Sequence, residues 1–351
     1  MIKKKNLLKE NFVLKNSEDI LEVENLKVNI RIEADMLNAV RGVNFSIKKG
    51  ETLGLVGESG CGKSVTSKEI LGINPSNCAS SGRILYQTKS GKVINLLDLD
   101  KDGELYRSIR GTEIAMIFQE PMTAFSPLFT IGNQISEIIL IHEPETKKDE
   151  AKRRVIEMLA KVGIADPQNR FEQYPHEFSG GMLQRALIAM MLCCDPVLLI
   201  ADEPTTALDV TIQSQILELM IKLQREYNMS ILFITHDLGI VASMCDRVAV
   251  MYLGEIVETG SVRQIFKDGR HPYTRGLLRS LPKMNQNSND KLFTIEGTVP
   301  IPIDFPVRCG FYDRCTLHKQ GICDCRKIDT LEVNDGHFVK CILEGGAKNE
   351  F

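Results

Sequence analysis

The sequence lacks three features that would link a chain to nucleic acid, to the bilayer interior or to export. Its 43 Lys and Arg residues are balanced by 46 Asp and Glu residues, so the formal net charge of −3 gives no indication of a nucleic-acid partner. Its longest strongly apolar stretch, residues 186–194, is too short to cross a bilayer. The lysines at positions 3–5 are followed by no apolar segment, which argues against a secretory signal. We therefore expect a cytosolic protein whose thiols stay reduced.

The ten cysteines are distributed unevenly along the 351 residues. A chain of this length can form one large domain with an appendage, or two domains. Half of the cysteines lie in the last stretch, namely Cys309, Cys315, Cys323, Cys325 and Cys341. In a reducing compartment such crowding indicates a metal site rather than disulfides, with buried or unligated thiols as the alternative.

A glycine-rich segment early in the chain fits the phosphate-binding pattern G-x-x-x-x-G-K-[ST] at every required position. Its residues are Gly57, Glu58, Ser59, Gly60, Cys61, Gly62, Lys63 and Ser64. The apolar run 52–56 before it predicts a buried strand, and residues 65–71 after it predict a helix. Glycines let backbone N–H groups face phosphate oxygens, and a helix N-terminus adds partial positive charge. We therefore expect Lys63 to reach the β- and γ-phosphates and the Ser64 hydroxyl to ligate Mg²⁺.

Two adjacent carboxylates follow a second apolar run, residues 196–200, at the tip of a predicted strand. Asp202 is expected to bind Mg²⁺ as the acidic partner of Ser64. Glu203 is then placed to orient or deprotonate a water that attacks the γ-phosphate. His236 ends the next predicted strand, residues 230–235, where its side chain can hydrogen-bond the same phosphate.

Two further segments lie between these motifs. Gln119 closes an apolar run and precedes a loop with two prolines, so it is predicted at a strand-to-loop junction. Helical periodicity within residues 131–162 implies a helical insert in an otherwise α/β protein. Another helix is predicted to open at Ser179, Gly180 and Gly181, with Ser179 as its N-cap and with an anion site at its start.

These segments together make the chain resemble the ATP-binding cassette family. The resemblance rests on GESGCGKS at 57–64, Gln119, FSGGMLQR at 178–185, LLIADEP at 198–204, ALD at 207–209 and His236. It implies an α/β fold with a P-loop NTPase (RecA-like) core, an antiparallel β subdomain and a helical subdomain at about 121–194. The implied nucleotide-binding domain covers residues 21–264, between a polar N-terminal extension at 1–20 and a C-terminal extension at 265–351.

The resemblance also implies a dimer, because two cassettes of this family pack head to tail and hold ATP between them. Ser179, Gly180 and Gly181 would then bind ATP in trans, and Asp209 would lie at the dimer seam. The second cassette would be a copy of this chain or a related chain. Further implied partners are two transmembrane permease subunits and, indirectly, an extracytoplasmic solute-binding protein, which locates the chain at the cytoplasmic face of the membrane.

The family assigns further roles within one chain. Glu203 would be the catalytic base, and His236 would sense the γ-phosphate. Gln119 would contact Mg²⁺ and signal to a membrane subunit. The family usually stacks adenine on an aromatic residue in the early β portion, whereas the matching position here is Ile30, which is aliphatic.

A finer resemblance is to the ATPase subunits of bacterial oligopeptide, dipeptide and nickel importers. It rests on IFQEPMT at 117–123 and on HPYTRGLL at 271–278. It implies an ATP-hydrolysing subunit that powers import of dipeptides or oligopeptides, with nickel or another small solute as the alternative. Members of that group carry a C-terminal extension whose cysteines can hold a [4Fe–4S] cluster.

The cysteine spacing C-x5-C-x7-C-x-C-x15-C is unlike that of a zinc finger, which favours C-x2–4-C pairs. Four thiolates suit a cubane cluster. The expected ligands are Cys309, Cys315, Cys323 and Cys341, with Cys325 as the alternative to Cys323. The choice of iron–sulfur over zinc rests on the resemblance.

Two competing functions belong to other classes. Soluble cassette proteins that act on ribosomes or DNA usually carry two cassettes or a long coiled coil, whereas this chain has one cassette, no heptads and no basic face. A nearly inactive regulatory partner in a heterodimer is the other alternative. The intact Lys63, Glu203 and His236 argue against it, although Ile30 leaves room for it.

Overall fold

Two β-sheets and a set of helices make up the chain in a computed structural model that describes residues 12–206, 208–281 and 293–344. The strands are β1 (Asp19–Ile32), β2 (Asp35–Lys48), β3 (Thr52–Val56), β4 (Cys78–Gln87), β5 (Val93–Asn95), β6 (Ile114–Ile117), β7 (Leu198–Asp202), β8 (Ser230–Thr235), β9 (Arg247–Tyr252), β10 (Glu255–Ser261), β11 (Leu331–Asn334) and β12 (His337–Val339). The helices are α1 (Lys63–Ile70), α2 (Glu104–Ile109), α3 (Pro121–Ala124), α4 (Ile131–His142), α5 (Lys148–Lys161), α6 (Pro167–Phe171), α7 (Gly180–Leu192), α8 (Val210–Tyr227), α9 (Leu238–Met244), α10 (Val262–Asp268) and α11 (Pro272–Arg279).

The larger sheet has the strand order β11-β12-β10-β9-β3-β8-β7-β6. Its strands β9, β3, β8, β7 and β6 run parallel, and β10, β12 and β11 add antiparallel pairs at one edge. Every residue of β3, β7 and β8 is buried, as expected for parallel strands that are covered on both faces. The apolar runs that predicted these strands are therefore confirmed.

The smaller sheet is antiparallel and has the order β2-β1-β4-β5. Apolar side chains of β1, such as Val23 and Val28, share one core with Leu53 of β3 and Leu232 of β8. The predicted antiparallel subdomain is thus confirmed, and it packs against one face of the larger sheet.

The helices α3 to α7 lie between β6 and β7 in the chain and form the predicted helical insert. Val155, Met158, Leu159 and Val162 are all buried in one core with residues of α4 and α7, in keeping with the helical periodicity of residues 131–162. The helix start predicted at Ser179 is also confirmed, since the Ser179 hydroxyl accepts the Met182 N–H at 3.3 Å. None of the helices in the described part of the chain is long and apolar enough to span a bilayer.

The C-terminal extension continues the larger sheet, which the sequence did not predict. Strand β12 pairs with both β10 and β11. The fully buried Glu258 of β10 accepts hydrogen bonds from the backbone N–H groups of Arg270 and His271, and it pairs with the His337 ring at 2.8 Å. A buried carboxylate is tolerated because it has several donors, and here these donors fasten the extension to the sheet.

Candidate active site

The glycine-rich loop, residues 57–64, connects β3 to α1 as predicted, and close backbone contacts explain two of its glycines. Gly62 has φ +105°, and a Cβ atom there would lie 2.5 Å from the Ala39 carbonyl oxygen. A Cβ atom on Gly57 would lie 2.1 Å from the Met251 carbonyl oxygen. Any side chain at these two positions would displace neighbouring backbone, so the curve of the loop requires glycine.

Lys63 and Ser64 begin α1 and face the loop and β7, respectively. The Lys63 ammonium donates to the carbonyl oxygens of Gly57 at 2.8 Å and Glu58 at 3.1 Å, and the residue is buried. The Ser64 hydroxyl donates to Asp202 Oδ1 at 3.1 Å. Burial raises the pKa of the Asp202 carboxyl, and the hydrogen bond from Ser64 opposes that rise. A hydroxyl beside a buried carboxylate is a donor set that fits Mg²⁺, whose charge would compensate the buried anion.

The Glu203 carboxylate interacts with three side chains at the edge of the larger sheet. Its backbone has φ +48°, an unusual value for a residue with a side chain, and its N–H donates to the Ile234 carbonyl at 2.9 Å. Its Oε2 accepts hydrogen bonds from Gln119 Nε2 at 3.1 Å and from Thr206 Oγ1 at 3.0 Å. Its Oε1 lies 3.2 Å from His236 Nδ1. The carboxylate is therefore held from three sides while its side chain stays 13% exposed.

The topology explains why residues so distant in sequence meet here. Gln119, Glu203 and His236 each follow the carboxyl end of a strand, and those strands, β6, β7 and β8, are parallel neighbours. The carboxyl ends of such strands meet at one edge, which is where open α/β sheets bind ligands. The structure thus brings together the three residues that the sequence nominated separately. Thr206 was missed, because a threonine three residues after Glu203 carries no pattern of its own.

Ser179, Gly180 and Gly181 lie at the N-terminus of α7 and do not belong to the hydrogen-bonded cluster around Glu203. Gly181 approaches α8, since a Cβ atom there would lie 2.8 Å from Ile212. Asp209 caps α8 by accepting the N–H groups of Thr211 at 3.1 Å and Ile212 at 3.0 Å. Hydrogen bonds among the described residues link neither segment to the glycine-rich loop. Ala207, which belongs to the ALD match, lies outside the described residues.

Four of the five C-terminal cysteines, namely Cys309, Cys315, Cys323 and Cys341, line one largely apolar cavity. Cys325 does not line it, is exposed, and donates its thiol to the Gly321 carbonyl at 3.1 Å. Burial raises the pKa of Cys309 to about 11 and also raises the pKa of Cys315. Within the described ranges, however, no three His, Cys, Asp or Glu side chains converge closely enough to hold a metal. The predicted metal centre is therefore not assembled in this geometry, although its four chosen ligands share one cavity.

The sequence also missed two residues of the extension that contact the glycine-rich loop. Tyr273 and Arg314 both bind Glu58, through its backbone N–H and its carboxylate, respectively. Tyr273 lies in the segment HPYTRGLL that carried the finer resemblance, but nothing in that segment indicates what it contacts.

Known proteins resemble this chain over most of its length. The chain matches the ABC transporter family over residues 40–206 and the oligopeptide/dipeptide transporter C-terminal region over residues 257–323. It is 48% identical over 329 residues to the dipeptide transport ATP-binding protein DppD of Bacillus subtilis, covering 93% of this chain and 95% of that protein. It is also 48% identical over 332 residues to the oligopeptide transport ATP-binding protein OppD of Bacillus subtilis, covering 92% of this chain and 88% of that protein.

Solved structures of ABC proteins resemble this chain. One is a dimeric ATP-binding cassette in a post-hydrolysis state bound to ADP and Pi, with a TM-score of 0.60, 26% identity, and coverage of 69% of this chain and 99% of that one. Another is CbiO1 of Clostridium perfringens, part of an ABC transporter complex, with a TM-score of 0.59, 30% identity, and coverage of 72% and 92%. The chain therefore belongs to the ABC transporter family, among the ATP-binding proteins that carry the oligopeptide/dipeptide transporter C-terminal region.

Proposed function

We propose that the chain is the ATP-hydrolysing subunit that powers the import of dipeptides or oligopeptides through a membrane transporter. The observation that carries this proposal is the meeting of Gln119, Glu203 and His236 next to Asp202, which is hydrogen-bonded to Ser64 of the phosphate loop. A nucleophile-activating carboxylate and a phosphate-binding loop on one sheet edge are the two parts that phosphoryl transfer to water requires.

The triphosphate of ATP is bound by the loop Gly57, Glu58, Ser59, Gly60, Cys61, Gly62, Lys63 and Ser64. Lys63 already points into the loop, where it donates to two carbonyl oxygens, and phosphate oxygens can replace these acceptors. Ser64, Asp202 and Gln119 would hold Mg²⁺, which neutralises charge on the phosphate oxygens when it is bound.

Glu203 acts as the general base in this proposal. The attacking water transfers its proton to the Glu203 carboxylate while its oxygen bonds to the γ-phosphorus and the bond to the β-phosphate oxygen breaks. Gln119 and Thr206 donate to Oε2, so they fix the carboxylate without protonating it. His236 lies on the other oxygen and connects the base to the γ-phosphate.

A second cassette, either a copy of this chain or a related chain, completes the site in our proposal. Ser179 caps the N-terminus of the thirteen-residue helix α7, and Gly180 and Gly181 are its first residues. The N-terminus of a helix favours anions, so these three residues would bind the ATP held by the partner. Asp209 would lie at the seam between the two cassettes. Two permease subunits then receive the conformational change, which puts this chain on the cytoplasmic face of the membrane as a peripheral subunit.

Peptides are favoured over nickel as the transported solute. The two Bacillus subtilis relatives, DppD and OppD, are named for dipeptide and oligopeptide transport. The family that matches the C-terminal region is named for the same solutes. We divide the chain accordingly into a nucleotide-binding unit at about 21–264 and a peptide-importer-type extension from about 265.

The test is reconstitution of the chain with its partner cassette and permeases in proteoliposomes. We expect ATP-dependent uptake of a labelled dipeptide or oligopeptide, and loss of both uptake and ATP hydrolysis in the Lys63→Ala variant. Uptake of nickel but not of any peptide would overturn the choice of solute. ATP hydrolysis that persists in the Lys63→Ala variant would overturn the site itself.

We also propose that the cysteine cavity holds a structural [4Fe–4S] cluster. The proposal is supported by the chemistry of the four cysteines that line one cavity with largely apolar walls, since cubane clusters take four thiolates. Cys325 lies outside that cavity, which favours Cys323 as the third ligand. Anaerobic purification should give about four iron atoms per chain and a broad visible absorbance band. Protein that folds fully without bound iron would contradict it.

A further inference from the structure

Within the described ranges, two side chains of the C-terminal extension, Tyr273 and Arg314, hydrogen-bond Glu58 of the phosphate loop. The first contact comes from α11, where the His271 ring accepts the Tyr273 N–H at 3.1 Å and so caps the helix. This cap orients Tyr273, which is fully buried. The Tyr273 hydroxyl oxygen accepts the backbone N–H of Glu58 at 2.8 Å. One backbone donor of the loop is therefore bound by the extension.

The second contact comes from Arg314, which lies next to the cavity-lining Cys315. Its two terminal nitrogens donate to the two carboxylate oxygens of Glu58 at 2.6 and 3.0 Å. The Arg314 side chain is only 5% exposed, and its Nε donates to the Glu296 carbonyl at 3.0 Å. A forked guanidinium–carboxylate pair is stronger and more directional than a single hydrogen bond. The burial of Arg314 reduces screening of the pair by salt, although the Glu58 side chain is 29% exposed.

The aromatic rings beneath these groups make the arrangement rigid. Tyr252 of β9, Tyr273 and Phe311 pack with ring centroids 4.7 to 5.4 Å apart. Tyr252 is the last residue of β9, which pairs with β3, so this cluster joins the extension to the sheet next to the strand that precedes the loop. The two contacts on Glu58 are thus supported by packed side chains rather than by a mobile surface.

Two physical consequences follow for a loop that binds a polyanion. A loop already held in its binding conformation loses less conformational entropy when the ligand arrives. A carboxylate inside a phosphate-binding loop repels the triphosphate unless a cation neutralises it, and Arg314 is that cation. We infer that Tyr273 and Arg314 are positioning residues for ATP binding, which bring the C-terminal extension into the nucleotide site through Glu58. This inference rests on the proposed binding of ATP at residues 57–64.

The test measures ATP affinity and steady-state hydrolysis for Tyr273→Phe, Arg314→Gln and Arg314→Lys in the assembled transporter. Loss of a hydrogen bond to a charged group should weaken ATP binding by roughly tenfold or more for Arg314→Gln, and loss of the neutral bond by a few-fold for Tyr273→Phe. The KM for ATP should rise with little change in kcat, because neither residue touches the reacting atoms. Arg314→Lys should recover part of the affinity, since it restores charge but not the fork.

The matched control is Arg308→Gln. Arg308 makes an equally forked contact with Asp313 at 3.0 and 2.6 Å in the same extension, and among the described residues its hydrogen bonds and its ion pair go to Asp313 rather than to the loop. It should leave the KM for ATP unchanged. Adding Glu58→Gln to Arg314→Gln removes the unneutralised carboxylate, so the double variant should bind ATP better than Arg314→Gln alone.

The inference is overturned if Tyr273→Phe and Arg314→Gln bind ATP as Arg308→Gln does, or if they lower only the unfolding temperature. It is also overturned if Glu58→Gln worsens the Arg314→Gln defect. Tyr273→Phe removes a single oxygen, so it decides the question even if Arg314→Gln does not fold. Wild-type protein measured in the same titration separates the two proposals, because absent wild-type binding would defeat ATP binding at the loop itself.

Discussion

Replacing Glu203 by Gln removes the proposed general base while preserving its surroundings. The carboxylate has donors at 3.0 and 3.1 Å on Oε2, and His236 Nδ1 at 3.2 Å on Oε1. A glutamine amide of the same length can satisfy these neighbours, because its NH₂ can face the His236 nitrogen in the tautomer that accepts, while its oxygen accepts from Gln119 and Thr206. The substitution therefore tests the charge and basicity of the group rather than its packing.

The expected loss of activity in Glu203→Gln follows from the role of a general base. A positioned general base contributes roughly 10²- to 10⁴-fold to the rate, or about 2.7–5.5 kcal/mol of transition-state stabilisation. Among the described residues, the Glu203 carboxylate is hydrogen-bonded to Gln119, Thr206 and His236 rather than to the phosphate loop. We therefore expect kcat for ATP hydrolysis to fall at least about a hundredfold, while the KM for ATP changes much less.

The assay is phosphate release by the assembled transporter over a range of ATP concentrations, with Thr206→Val as the matched control. That variant removes one neutral hydrogen bond to the same carboxylate, which is worth about 1 kcal/mol, or roughly a fivefold change. The reasoning is refuted if Glu203→Gln keeps kcat within about fivefold of wild type. It is equally refuted if Thr206→Val is as damaging, because position rather than basicity would then explain the loss.

Three further outcomes are expected. Ser64→Ala removes the hydroxyl that is hydrogen-bonded to Asp202, so half-maximal ATP hydrolysis should require a higher Mg²⁺ concentration, as measured by a magnesium titration. If the dependence of the hydrolysis rate on Mg²⁺ concentration does not change, Ser64 is not a magnesium ligand. His337→Ala leaves the fully buried Glu258 with one hydrogen-bond partner fewer, so it should lower the free energy of unfolding by about 1–3 kcal/mol, as measured by urea titration. A change within experimental error would mean that the His337–Glu258 pair does not anchor the extension. Cys323→Ser should abolish iron binding and Cys325→Ser should not, as measured by iron content; the reverse result would exchange their roles.

The central strands could be predicted because local composition determines them. Strand β3 and strand β8 are short apolar runs whose observed bounds, Thr52–Val56 and Ser230–Thr235, equal the predicted ones. The motif that follows β3 carries its own turn chemistry, so the loop was predictable too. The positive φ of Glu203 was not, since no residue type there requires it and a hydrogen bond to Ile234 on the neighbouring strand sustains it.

The extension could not be predicted, because its structure depends on contacts between distant parts of the chain. Tyr273 and Arg314 meet Glu58 across 215 and 256 positions of sequence, and no periodicity encodes such a pairing. The choice between Cys323 and Cys325 had the same difficulty. Their spacing indicated a shared site, and only the fold separates a buried side chain from an exposed one two residues later.

The contacts of the C-terminal extension also reach the hairpin that contains the aliphatic Ile30. Ile30 pairs with Leu37 across the β1–β2 hairpin, and Leu37 forms a bridge with Ile303 of the extension. The next residue, Asn38, donates its backbone N–H to the Pro302 carbonyl at 3.0 Å. Asn38 is followed by Ala39, whose carbonyl oxygen lies so close to Gly62 that a Cβ atom there would be 2.5 Å from it. The extension thus contacts both the β1–β2 hairpin and Glu58 of the phosphate loop. The hairpin that contains Ile30 is therefore held by the extension through its second strand, β2. A variant that loosens the extension should therefore alter nucleotide binding before it alters the fold of the parallel sheet.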